Sequence, residues 1–313
     1  MTSDFGARTT RAASFLPRRL LGSIWRQKSR SVRCPDAPRL DGKLALVTGG
    51  NAGIGVEIAR GLARRGAEVV IAARNAATAG AARDAITKET GAEVHVVPLD
   101  LSDLASVASA TDPLGKLLGD RRIDELVANA GLWPQRNSLS AQGHEIAFAT
   151  NTLGHHALVR RLLDRGSLRA ASRVVVVTGD IYVRARECTS NFRYEGRGGG
   201  AMAYSRSKLG NLWFVFELQR RRPDLEVCAV HPGVIASGLG GQERPSFVVA
   251  TIMLDCVGGA QAPLWCATQP IEKGAYYHNT HGKMVLPEAD PAADPAAALA
   301  MWSRLEELAA PFA

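Results

Sequence analysis

The sequence predicts an α/β protein, a doubly wound parallel sheet in three layers forming a single domain. Three observations lead there. Six short, nearly continuous apolar runs rich in Val and Ala follow one another from Lys43 onward. Helix-length stretches separate them, and a glycine-rich turn follows the first run directly. Short apolar runs without alternation are what strands covered on both faces require. The strands are read as Leu44 to Val47, Glu68 to Ala72, Val94 to Pro98, Ile123 to Ala128, Arg173 to Thr178 and Glu226 to Val230. Between them, Gly53 to Arg65 sets Ile54, Ile58 and Leu62 four residues apart on one helix face, and Ser205 to Arg222 does the same with Leu209, Trp213, Phe216 and Leu218. Ala275 to Asn279 reads as a last strand and Pro295 to Leu308 as a closing helix. A strand-helix alternation of this kind places the ligand crevice at the carboxyl ends of the strands. The segment 238–267 breaks the alternation and is expected to be mobile, covering the substrate.

Charge divides the chain in two. The 313 residues carry a net charge of +8. Residues 1–40 hold nine basic side chains against Asp4 and Asp36, a net +7, which leaves the remainder near neutral at +1. A neutral body lacks the electrostatic footprint of a polyanion-binding fold, so nucleic acid is not expected as a partner. Residues 1–38 are read as a basic, mobile arm and 39–313 as the domain. Leu20, Leu21, Ile24 and Trp25 would share one side of a short amphipathic turn beginning at Pro17. The arm is open to three readings: a targeting sequence, a weak tether to an anionic membrane surface, or a disordered extension, the last being preferred. No run of eighteen apolar residues is present, which argues against a membrane-spanning helix. Five widely spaced cysteines without a C-x-x-C pair suit a reducing compartment such as the cytoplasm.

The turn after the first strand reads Thr48-Gly49-Gly50-Asn51-Ala52-Gly53-Ile54-Gly55 and opens a helix. A pyrophosphate approaches a backbone closely only where side chains are absent, and the helix amino terminus supplies free N–H donors and a positive dipole end. Gly49, Asn51, Gly53, Ile54 and Gly55 are therefore candidate dinucleotide contacts. No Gly-Lys pair precedes a Ser or Thr, which excludes a P-loop. At the end of the second strand stands Ala72-Ala73-Arg74-Asn75, with no carboxylate to accept the ribose hydroxyls of NAD. Arg74 could clamp the extra phosphate of NADP, so NADP is favoured over NAD. Asp100, followed by Leu101, ends the third strand, placed either to meet the adenine amino group or to cap the next helix.

Four motifs in order carry a family resemblance: Thr48-Gly49-x-x-x-Gly53-x-Gly55, Asn129-Ala130-Gly131, Tyr204-Ser-Arg-Ser-Lys208, and Pro232-Gly233. Together, over about residues 40 to 310, the chain resembles the short-chain dehydrogenase/reductase family, with its Rossmann-type fold. Asn151-Thr-Leu-Gly-His, His231-Pro-Gly and Gly259-Ala-Gln-Ala-Pro-Leu-Trp-Cys resemble its retinol-dehydrogenase-like branch. Hydride transfer at a carbonyl needs a proton donor at the oxygen. A tyrosine near pKa 10 is a weak acid, and an ammonium one helical turn away would lower that value. Tyr204 and Lys208 have that spacing. The resemblance further implies that Lys208 holds the nicotinamide ribose, that Asn151 anchors a proton-relay water, that Asn129, Ala130, Gly131 and Pro232 border the cofactor, and that Ser237 contacts the carboxamide. It also makes a homo-oligomer an expectation.

One position departs from the family pattern. After the fifth strand the chain reads Thr178-Gly179-Asp180, which matches Gly179 to the family's substrate-binding serine. Thr178 and Asp180 are the two candidate replacements. The expected function is an NADP-dependent oxidoreductase acting on a small carbonyl or alcohol, with a lipophilic substrate in view. The alternative is a catalytically silent cofactor-binding scaffold. His155-His156 and His278-Asn-Thr-His281 lack further ligands at suitable spacing, so no metal is expected. Trp265, Trp302, Phe247 and Met253 are read either as pocket lining or as core.

Overall fold

A computed structural model describes residues 5, 9–11, 26–236, 238–239 and 252–312. Nine strands form one sheet: β1 (Thr9–Arg11), β2 (Leu44–Thr48), β3 (Glu68–Ala73), β4 (Val94–Pro98), β5 (Glu125–Ala128), β6 (Arg173–Val177), β7 (Glu226–His231), β8 (Tyr276–His278) and β9 (Gly282–Val285). Their order is β1-β9-β8-β7-β6-β5-β2-β3-β4. Every pairing is parallel except β8 with β9. The seven strands expected from sequence lie within two residues of their expected bounds. The additions are β1 and β9, three and four residues long and at the sheet edge, too short for any periodicity to register.

The helices are α1 (Gly53–Arg64), α2 (Ala76–Thr90), α3 (Leu104–Leu118), α4 (Gly154–Asp164), α5 (Gly196–Arg221), α6 (Cys256–Thr268) and α7 (Pro295–Ala309). Alternate residues of each strand serve opposite layers. Leu44 and Leu46 pack into the core under α3, α4, α5 and α7, whereas Ala45 and Val47 pack into the core under α1, α2 and α6. This is why the strands read as unbroken apolar runs. The order in which strands are added reverses at β2, with β3 on one side and β5 on the other, so a crevice opens beyond Thr48 and Asn129.

Two elements depart from expectation. Helix α5 begins nine residues before Ser205, through a glycine run that reads as a breaker. There the glycines serve close approach: a Cβ on Gly200 would lie 2.0 Å from the Pro134 carbonyl oxygen. The second half of the segment expected to be mobile forms α6, buried from Ala262 to Thr268 and packed against α1, where Leu264 covers Gly61. A helix apolar on nearly every side shows no amphipathic period.

The described residues of the arm also pack on the domain. Phe5 is buried against Trp265 and Tyr277, with ring centroids 4.8 and 6.0 Å away. β1 pairs with β9. The side chain of Gln27, 2 % exposed, donates to the carbonyls of Val234 (3.0 Å) and Ile252 (2.9 Å) and accepts from the Val234 amide (3.0 Å). At these positions the arm, expected to be mostly mobile, packs on the domain: the charge pattern conceals the few apolar and amide groups that anchor it. The amphipathic turn at Leu20, Leu21, Ile24 and Trp25 lies outside the described residues.

Candidate active site

The glycine turn between β2 and α1 is built for close approach. Gly49 and Gly53 have φ of +65° and +58°, a region costly for side-chain-bearing residues. A Cβ on Gly55 would fall 2.1 Å from the Gly49 carbonyl oxygen, whereas one on Gly53 would meet nothing within 4 Å. Ala52 caps α1 without a side-chain hydrogen bond, and although the Gly55 amide turns back on the Ala52 carbonyl at 3.1 Å, the amides of Gly53 and Ile54 keep their donors for a ligand. The Oδ1 of Asn129 is buried without a partner, while its Nδ2 donates to the Thr48 carbonyl at 2.9 Å. An open cradle, free helix amides and an orphaned acceptor fit a dinucleotide. Ile54 backs the turn, packed beside Gly259.

The adenosine end is partly as expected. Asn51 donates to the Thr78 hydroxyl at 2.7 Å. Arg74 is 74 % exposed and lies 3.8 Å from an Asp100 carboxylate oxygen. The other oxygen of Asp100 accepts from the amide and hydroxyl of Ser102 in an Asx turn, and the cap of α3 is Asp103, so the reading of Asp100 as the cap of the next helix is corrected: the chain makes one more turn before the helix starts. The Leu101 side chain is buried, and its carbonyl lies so close to Gly154 that a Cβ there would approach within 2.1 Å.

Tyr204 and Lys208 come from the middle of α5, and Asn151 from a π-helical turn, Phe148–Leu153, that runs into α4. Asn151 and Lys208 meet beside Gly131, and the Tyr204 ring lies next to Lys208. A Cβ on Gly131 would lie 3.3 Å from Asn151 Oδ1 and 3.7 Å from Lys208 Nζ. The Asn151 side chain is fixed by the Leu132 amide (2.8 Å), the Leu132 carbonyl (3.0 Å) and the Ser207 hydroxyl (2.8 Å). Lys208 donates to the Val177 carbonyl at 3.0 Å, and its Nζ lies 5.3 Å from the Tyr204 ring centroid. The Trp133 indole stacks on the Tyr204 ring, 4.7 Å between centroids and 12° from parallel. Burial raises the Tyr204 phenol above its ordinary value and lowers the Lys208 ammonium to about 8. Without cofactor, the expected lowering of the tyrosine by its lysine is therefore overridden by desolvation.

Neither candidate replacement for the missing serine faces this site. Thr178 donates its hydroxyl to the Lys208 carbonyl at 2.8 Å and is 2 % exposed. Asp180 accepts from the Tyr276 hydroxyl and from His278 Nε2, the latter at 2.9 Å. Burial opposes its charge, yet His278, His231 and Tyr276 hold its carboxyl well below the usual range, so it cannot donate. Both alternatives are corrected on these bonds.

His155 carries a role the sequence did not suggest. Thr48 Oγ1 accepts from the amides of Asn129 and Ala130, each at 3.0 Å, which leaves its proton for His155 Nε2 at 2.9 Å. The Nδ1–H of His155 then donates to the Asn151 carbonyl at 3.1 Å. Burial lowers its pKa to about 4, which keeps the ring neutral. One imidazole thus ties the glycine turn to the turn bearing Asn151. Trp265 and Trp302 belong to the core, the second stacked on Phe214 at 5.9 Å. Pro232 is buried at the end of β7. Ser237 and Phe247 lie outside the described residues.

A family model described as short chain dehydrogenase matches residues 43–246. The chain belongs to the short-chain dehydrogenase/reductase family. Retinol dehydrogenase 12 of Mus musculus is 34% identical over 244 residues, 75% of this chain and 76% of that relative. Dehydrogenase/reductase SDR family member 13 of Bos taurus is 35% identical over 291 residues, 88% of this chain and 75% of that one. A crystal structure of a putative uncharacterized protein from Mycobacterium Paratuberculosis covers 90% of this chain and 98% of its own, with 31% identity and a TM-score of 0.71. The short-chain dehydrogenase/reductase is thus an NAD(P)-dependent oxidoreductase of the retinol-dehydrogenase-like branch. Among the described residues no helix is long and apolar enough to cross a membrane.

Proposed function

We propose that the protein moves a hydride between NADP and a carbonyl or alcohol group on a lipophilic small molecule. The observation that carries this reading is that Lys208 stands between Asn151 at Gly131 and the Tyr204 ring, near the carboxyl end of the sheet that also bears the open glycine cradle. When bound, the nicotinamide group supplies or accepts the hydride. The chain's side chains manage the proton. Tyr204, a buried phenol, gives its proton to the substrate oxygen in reduction and takes it back in oxidation. Lys208, anchored on the Val177 carbonyl, has two further N–H bonds, one for a ribose hydroxyl and one for the developing phenolate. Asn151 is held rigidly by Leu132 and Ser207, and anchors the water through which the proton returns to solvent.

NADP is preferred on the strength of Arg74, an exposed guanidinium with no carboxylate in the β3 terminal pair Ala72-Ala73. A lipophilic alcohol or aldehyde is the substrate class supported by relatives that are named retinol dehydrogenases. Loss of NADPH absorbance with a panel of aldehydes, ketones and retinoids tests the reading. Turnover that vanishes in Tyr204→Phe while NADPH binding persists is the expected result, and a fully active Tyr204→Phe protein would refute it.

A further inference from the structure

The missing serine leaves a space with defined walls. Gly179 has extended backbone (φ −161°, ψ 141°) that any residue could adopt. A Cβ built on it would lie 3.8 Å from Lys208 Cγ, 3.9 Å from Ile181 Cγ2 and 4.0 Å from His231 Nδ1. Position 179 therefore borders both the Lys208 stem and an imidazole nitrogen. That nitrogen is buried and has no hydrogen-bond partner among the described residues, and His231 as a whole is 8 % exposed. A buried polar atom without a partner is unfavourable, and a ligand that pairs with it recovers the loss.

We propose that His231 Nδ1–H makes the hydrogen bond to the substrate oxygen that a serine at position 179 would otherwise make. The inference rests on the reading of Tyr204 as the acid and base, because both groups address the same oxygen. His231 is the last residue of β7, and its carbonyl accepts from the Asn279 amide at 3.1 Å. Its ring rests on His278, 4.9 Å between centroids, and His278 is itself fixed by Asp180 and by the Thr280 amide at 3.1 Å. Burial, opposed by the Asp180 carboxylate, lowers the His231 pKa to about 4, so the ring is a neutral donor that does not compete with Tyr204 as an acid. A neutral imidazole carries its one proton on the nitrogen that finds an acceptor. A carbonyl or alkoxide oxygen entering the gap selects the Nδ1–H form, and a glycine at 179 is what clears the path.

The test follows NADPH oxidation by the full chain with decanal and retinal as probes, with NADPH affinity measured in parallel by fluorescence. His231→Leu is expected to lower kcat about 100-fold at unchanged NADPH affinity, the loss typical of one oxyanion donor. Adding Gly179→Ser to His231→Leu restores the hydroxyl and is expected to bring kcat within tenfold of wild type. A kcat for His231→Leu within threefold of wild type would overturn the proposal, as would a loss that Gly179→Ser leaves uncorrected. Should His231→Leu fail to bind NADPH, His231→Asn and His231→Gln decide. The Asn amide can take the place of Nδ1 and should stay within tenfold, the longer Gln amide should not, and equal activities would refute the donor role. Full activity in Tyr204→Phe would instead refute the acid and base reading, and a wild type that reduces neither probe would refute both.

Discussion

Lys208 Nζ lies 5.3 Å from the centre of the Tyr204 ring and donates at 3.0 Å to the Val177 carbonyl, so the strand β6 fixes the cation beside the phenol. Burial keeps the phenol protonated and lowers the ammonium to about 8. On the proposed mechanism reduction needs both protonated: Tyr204 to give its proton, Lys208 to stabilise what remains. Below pH 8 both conditions hold, and above it Lys208 loses its charge first. The expected profile of kcat/KM for carbonyl reduction is level from about pH 6 to 7 and falls with a midpoint near 8. A rise through that range would show that deprotonation assists reduction.

Arg74 should govern cofactor choice. Replacing it by Ala removes the guanidinium but no buried contact, since the side chain is 74 % exposed. NADPH affinity should weaken about tenfold, at the lower end for a charge-assisted bond, with NADH affinity unchanged. Equal effects on both cofactors in a titration would place Arg74 away from the phosphate.

Gly55 has no room for a side chain. Its Cβ would overlap the Gly49 carbonyl, 2.1 Å away, and Asn129 Nδ2, 2.6 Å away. Gly55→Ala must displace the glycine turn, at a cost of about 1–3 kcal/mol, and should abolish measurable cofactor binding. The open site at Gly53 makes a useful contrast in the same binding assay: there the substitution is resisted by the positive φ rather than by a clash.

The fold was largely legible because parallel strands buried on both faces leave an unmistakable record, as in Arg173-Val-Val-Val-Val. The Tyr204–Lys208 pair is expected from its spacing of four and Asn151 from the family resemblance, and the fold brings Asn151 and Lys208 together at Gly131. What escaped has identifiable causes. His155 reads in sequence as a metal ligand by residue type, since its partners Thr48 and Asn151 are 107 and 4 residues away and only the fold joins them. Helix α6 was hidden by apolarity without period. The anchoring of the arm was hidden because Phe5 and Gln27 are single residues in a basic stretch.

Gln27 links the arm to the two flanks of residues 237–251. Its amide bonds Val234 and Ile252, on either side of residues 237–251, and the two flanks also pair through Ile235 and Leu254. Gln27→Ala leaves buried backbone groups unpaired and should lower stability by about 2 kcal/mol. The expected kinetic signature is a KM that rises more than kcat falls. Removal of residues 1–38 should lower Tm further, and a truncated protein with unchanged Tm and KM would show the arm to be dispensable.

The role proposed for Tyr204 is to move the proton. The most direct measurement is single-turnover NADPH oxidation by Tyr204→Phe at saturating cofactor, beside an independent measure of NADPH affinity. Loss of at least 100-fold in rate with cofactor affinity preserved is the result expected of a missing acid. A Tyr204→Phe protein that oxidises NADPH at the wild-type rate would contradict it.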